Sequence, residues 1–161
     1  FLTILKLKYL FESTNIIPGR YEIKPSMTYV ELMEDIFEGN LQQFRFTIIE
    51  GTVAKDALRK LRQIIENNDL NFQISSKTLE IFTKESLILP DTYFFTDRQQ
   101  LERLMINQKI RLDNILTRLW KNKPKDNPLR TLNEALVLAS IVEREAAVEW
   151  ERAQISSVFL S

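Results

Sequence analysis

The stretch Arg20-Tyr21-Glu22-Ile23-Lys24-Pro25-Ser26-Met27-Thr28-Tyr29-Val30-Glu31-Leu32-Met33-Glu34-Asp35-Ile36-Phe37-Glu38-Gly39 reads as strand, turn and helix. Arg20 to Ile23 alternate as a strand would, and Pro25-Ser26 breaks the run. Thr28 and Glu31 have the spacing of a capping box, in which a hydroxyl and a carboxylate reciprocally satisfy the first free N–H groups of a helix. Val30, Met33, Ile36 and Phe37 follow at helical spacing, and Gly39 supplies the stop. The pattern returns 25 residues later, from Arg20 to Arg45. Arg45, Phe46 and Ile48 stand where Arg20, Tyr21 and Ile23 stood. Glu50-Gly51 is the turn, and Val53, Leu58, Leu61 and Ile64 line a second helix. Two βα units of one design make a weak internal repeat.

The remainder is mainly helical. Asn67–Asn71 is polar, and a short helical or irregular piece runs from Ser75 to Phe82. Leu87-Ile88-Leu89-Pro90-Asp91-Thr92-Tyr93-Phe94-Phe95 is apolar and expected to run extended into a turn at Pro-Asp. Gln99–Trp120 has the periodicity of one long amphipathic helix, and Lys121–Pro128 reads as a solvated linker. Thr131 and Glu134 repeat the capping-box spacing and open a helix expected to continue through at least Ala153. The fold class is α+β.

Composition narrows the chemistry. With 44% hydrophobic and 27% charged residues, the 161-residue chain can bury a core. Its formal net charge is zero, without the basic excess that a nucleic-acid partner calls for. There is no Cys and no His, which removes thiolate and imidazole mechanisms and leaves Asp, Glu, Lys or Tyr for acid–base work. No apolar run approaches the roughly 20 residues that span a bilayer. A start at Phe1 and an apolar end at Val158-Phe159-Leu160-Ser161 point to an internal piece of a longer protein, with room for a membrane anchor upstream.

One carboxylate stands out. On a helical wheel at about 100° per residue, Leu132, Leu136, Ala139, Ser140, Ala146, Ala147 and Trp150 fall within roughly 60° of Glu143. The acid is thus expected mid-stripe on an apolar face, beside a hollow left by small residues and bordered by Trp150. Leu132, Leu136 and Trp150 are expected in the core. Burial would push the carboxyl pKa upward, as a general acid needs. The plain alternative is a Glu paired with an Arg or Lys from another element. Glu145 faces elsewhere on the same wheel, towards Leu138, Ile141, Val148 and Arg152. Glu149 and Glu151 read as surface charges.

These residues resemble a family. Ala139-Ser140-Ile141-Val142-Glu143-Arg144-Glu145-Ala146 is similar to the A-S-I-[IV]-E-[KR]-E-[TA] signature of the YceG-like endolytic lytic transglycosylases, the MltG family. Glu151-Arg152 and Val158-Phe159 fit its continuation. Leu89-Pro90-Asp91-Thr92-Tyr93 resembles its L-x-P-D-T-Y. Phe46-Thr47-Ile48-Ile49-Glu50-Gly51 resembles v-T-I-P-E-G, with Ile49 in place of Pro. Ile17-Pro18-Gly19-Arg20-Tyr21 looks like its L-x-x-G-x-Y block. Two departures are Glu85-Ser86 for the family's E-G and Ala146 for its more usual Thr.

The resemblance implies a LysM-like region over residues 1–85 and the start of a catalytic domain over 86–161. It implies an enzyme that cuts peptidoglycan glycan strands internally and leaves 1,6-anhydro-N-acetylmuramic acid ends, with no cofactor and no metal. Glu143 matches the family's catalytic acid. Glu145 and Tyr93 are assigned with it as substrate contacts. The implied setting is the periplasmic side of a bacterial inner membrane, with cell-wall synthesis proteins as further partners. The family continues N-R-L beyond the point matched by Phe159 and there supplies much of its cleft. The competing class is a non-catalytic peptidoglycan-binding or scaffold module. A plain helical interaction protein is a third reading, attractive only if the motif matches are coincidental.

Overall fold

The computed structural model describes residues 16–83 and 88–160. Among them are six helices and two strands: α1 (Tyr29–Glu38), β1 (Phe44–Ile48), α2 (Ala54–Asn67), α3 (Ser76–Thr83), β2 (Asp91–Phe95), α4 (Arg98–Lys121), α5 (Leu132–Glu145) and α6 (Glu151–Leu160). The class is α+β, as the sequence implies. The Glu85-Ser86 departure lies outside the described residues.

The sheet is a single antiparallel pair. Phe44 lies opposite Phe95, Phe46 opposite Tyr93, and Ile48 opposite Asp91. Side chains on a strand alternate between faces, so Phe44, Phe46 and Ile48 share one face with Tyr93 and Phe95. All five are buried. The opposite face carries Arg45, Thr47, Thr92 and Phe94, all exposed, with a hydrogen bond of 3.1 Å between the Thr47 and Thr92 hydroxyls.

The helices cover the apolar face alone. α2 packs on β1, α4 packs on β2, and α3 touches both helices. Ala57, Leu58, Leu61 and Ile65 of α2, Ile81 and Phe82 of α3, and Leu101 and Met105 of α4 complete one core with the strands. Phe46 sits at its centre, with ring centroids 6.1 Å from Tyr93 and 6.3 Å from Phe82. These tilted separations are those aromatic pairs favour.

The helix starts follow the expected chemistry. Thr28 accepts from the Glu31 N–H at 3.3 Å, and the Glu31 carboxylate accepts from the Thr28 N–H at 2.7 Å. That backbone donor holds the Glu31 carboxyl below its ordinary pKa. Asp97 caps α4 through the Gln100 N–H at 2.8 Å. Gly39 ends α1 in the left-handed region at φ 74°, and a Cβ there would collide with Ile17. Asp97 and Gly39 thus close opposite ends of different helices by the two routes sequence most often uses.

Several expectations need correction. Arg20–Ile23 forms no strand. Among the described residues its alternation has no strand partner: one backbone bond, from the Gln42 N–H to the Arg20 carbonyl at 2.8 Å, stands in place of a ladder. The Arg20 guanidinium instead donates to the Asn68 and Asp69 carbonyls, tying this segment to the end of α2. The two βα units are therefore not equivalent. Pro90-Asp91 leads into β2 without a turn. In sequence, positions 85 and 86 fall between β1 and β2, which pair with each other.

Two tests follow from the packing. Phe46→Ala should destabilise the fold by about 3–5 kcal/mol in chemical denaturation, whereas Phe94→Ala, on the exposed face, should cost less than about 1 kcal/mol. Limited proteolysis should cut first within Lys121–Pro128, a turn-rich connection with mostly exposed residues, and spare Asn67–Asn71, which Arg20 anchors. First cleavage at Asn67–Asn71 would contradict that anchoring.

Candidate active site at the α5–α6 elbow

α5 begins with the capping box anticipated from sequence. Thr131 accepts from the Glu134 N–H at 3.2 Å, and the Glu134 carboxylate accepts from the Arg130 N–H at 2.7 Å and more weakly from that of Thr131. The Arg130 N–H is the main reason the Glu134 carboxyl lies below its usual range.

The helix does not reach Ala153. It stops at Glu145, and Ala146 takes an extended ψ of 118° while its N–H still donates to the Val142 carbonyl. In a continuous helix the N–H groups of Ala147 and Val148 would bond the Glu143 and Arg144 carbonyls. They donate instead to the Glu151 carboxylate, at 2.9 and 3.3 Å. Glu151, read from sequence as a surface charge, thus reaches back from the first turn of α6 and fixes an elbow at Ala146–Trp150. No Gly or Pro marks this break.

The elbow removes Ala146, Ala147 and Trp150 from the predicted stripe. Trp150 is 66% exposed and is not in the core. Leu132 and Leu136 are only half-buried, and neither α5 nor α6 has a buried residue. Glu143 is not enclosed among small residues: its side chain is 37% exposed, and its Oε2 lies 3.1 Å from Nη2 of Arg152 on α6. The expected apolar hollow depended on an unbroken helix. What forms is the plain alternative named from sequence, an ion pair with an Arg of another element.

The other assigned residues separate. Glu145 is exposed at the last residue of α5. Arg152, grouped with Glu145 on the unbroken wheel, pairs with Glu143 instead. Tyr93 is 3% exposed in the core, and its hydroxyl donates to the Leu89 carbonyl. The ring fills the space between Phe46 and the helices, and the hydroxyl is already engaged. Burial pushes that hydroxyl up to about 12, Asp91 adds to the rise, and Arg111 opposes it.

Sequence reasoning missed Arg152 and Glu151 as partners. The available signal was the placement of Glu151 three residues after Val148, the spacing of a carboxylate that returns to a helix start. Without a Ser or Thr at Val148, it was not decisive. Among the described residues no three acidic side chains cluster as a metal site, and no helix is long and apolar enough to cross a membrane. An open groove along α4, lined by residues including Asn107, Arg111 and Arg118, does not include Glu143.

An α+β body is thus followed by an elbowed helix pair that carries an accessible carboxylate–guanidinium couple. The chain belongs to the YceG-like family, which it matches over residues 1–161. This is broadly a family of the MltG type. No curated protein matches the chain.

The Tyr93 environment gives a pH test. Its neutral form is favoured by folding, so its contribution is complete below the ordinary value near 10 and is lost as pH rises towards about 12. Denaturation midpoints measured across that window should fall less steeply for Tyr93→Phe than for the parent. Identical slopes would mean that Tyr93 ionises as a free phenol.

Proposed function

We infer that this chain carries the acid–base residue of an endolytic peptidoglycan transglycosylase, and that this residue is Glu143. The observation that carries the reading is the half-exposed Glu143 carboxylate in the Ala139–Ala146 signature, reachable by a ligand and held by a side chain that is itself 46% exposed. Family membership supports it. Glu145, exposed two residues on, is a substrate contact in this reading.

The chemistry needs one carboxyl group used twice. Protonated Glu143 donates to the glycosidic oxygen as the bond from C1 of N-acetylmuramic acid to that oxygen breaks. The resulting carboxylate takes the proton of the muramic C6 hydroxyl, whose oxygen bonds to C1. The products are a 1,6-anhydro end and a free hydroxyl on the departing N-acetylglucosamine, with the proton returned to Glu143. Hydrolytic glycosidases generally use a second carboxylate to activate or replace water; here the intramolecular hydroxyl does that work. No metal, cofactor or nucleic acid enters.

The LysM-like part of this reading is residues 1–85, and its substrate is a glycan strand. The setting is the periplasmic face of a bacterial inner membrane, near cell-wall synthesis proteins, with the anchor outside this chain. A non-catalytic peptidoglycan-binding module is the competing outcome.

Glu143→Gln in the intact protein decides between them. The side chain keeps its size and loses proton exchange. Release of anhydro-muropeptides from purified peptidoglycan should fall by at least about 10²–10⁴-fold, the usual contribution of a general acid–base group. The melting temperature should change little, because an exposed ion pair contributes about 0–1 kcal/mol. A parent protein that binds peptidoglycan without releasing anhydro ends would establish the binding module instead.

A further inference from the structure

Resting on the assignment of Glu143, we propose that Arg152 is the positioning residue of the catalytic acid: it holds the Glu143 carboxylate at the inner side of the α5–α6 elbow and steadies its charge during the step in which it acts as base. Arg152 lies nine positions after Glu143. On one unbroken helix they would be about 13 Å apart along the axis and on opposite faces, too far to meet. They meet at 3.1 Å only because the chain turns at Ala146–Trp150. The break is itself built, by the Glu151 carboxylate on the Ala147 and Val148 N–H groups. The adjacent residues Glu151 and Arg152 therefore have complementary roles, the first making the elbow and the second using it to reach the acid.

The electrostatic surroundings favour this assignment. On α5, the residues one helical turn before Glu143 are Ala139 and Ser140, neither of them charged. Arg144 and Glu145 follow it directly and lie on other faces of the helix. α6 is the element that packs most extensively against α5. Of the charged groups at its start, Glu151 is occupied by the elbow backbone and Arg152 faces Glu143. Glu149 is exposed within the elbow. A guanidinium suits the role because its planar N–H groups can hold one carboxylate oxygen and leave the other to a ligand.

A pair this exposed adds little to folding, so an effect on rate can be separated from an effect on stability. In the intact protein, Arg152→Gln should lower kcat for anhydro-muropeptide release on the order of 10²-fold, the scale on which misplacement of a catalytic group by about 1 Å acts. KM should stay within about twofold and the melting curve should be unchanged. Arg152→Lys keeps the charge and should recover part of the lost rate. In the Glu143→Gln background, Arg152→Gln should have no further effect, since it acts through the carboxylate. Full kcat in Arg152→Gln, with Glu143→Gln inactive, overturns this inference and leaves the acid assignment standing. An active Glu143→Gln overturns the acid assignment itself. A rate loss in Arg152→Gln that follows a lowered melting temperature, without recovery in Arg152→Lys, would make Arg152 merely structural.

Discussion

The aromatic layer formed where Phe46 faces Tyr93 across the β1–β2 pair is the constraint on which the rest of the structure depends. A two-stranded sheet is marginal by itself in water and needs a covered face. Phe44, Phe46, Ile48, Tyr93 and Phe95 supply that face, and α2, α3 and α4 each bury part of their apolar stripe on it. The strands are separated by the 42 residues between Ile48 and Asp91, so pairing them brings α2 and α3 into place between. The Pro90-Asp91-Thr92-Tyr93 motif is thereby explained physically: it delivers a tyrosine to the core, with its hydroxyl bonded a few residues back at Leu89.

The legible parts of the fold were those determined by local chemistry. Thr28 with Glu31 and Thr131 with Glu134 cap their helices as spacing alone implies. The alternation Phe44, Phe46, Ile48 is a strand because a partner exists to use it. Arg20–Ile23 alternates as well, and nothing in those residues reveals that no described segment forms a ladder with them. Pairing is a long-range property, and a period of two is only a precondition for it.

The signature around Glu143 was legible in the sequence, and its environment was not. Glu143 could be singled out from its position in a helix and from the signature around it. Its surroundings could not, because the wheel assumed a continuous helix and the interruption carries no Gly or Pro. Glu151 breaks the helix by offering two backbone N–H groups a better acceptor, an energetic contest settled locally. Once the helix turns, every angle counted from Glu143 beyond Ala146 is void. That is why Trp150 lies at the surface rather than beside a hollow, and why Arg152 meets Glu143 rather than Glu145.

The absence of buried residues in α5 and α6 has a dynamic consequence. Segments with few buried contacts open at much lower free energy than the core they adjoin. Amides in β1 and β2 exchange with solvent deuterium chiefly when the whole body unfolds, whereas those of the helix pair exchange through openings of their own. Glu143 thus resides on a unit that opens more easily than the core. A glycan strand laid across the elbow would order that unit, and part of its binding free energy would be spent as conformational entropy rather than appear as affinity.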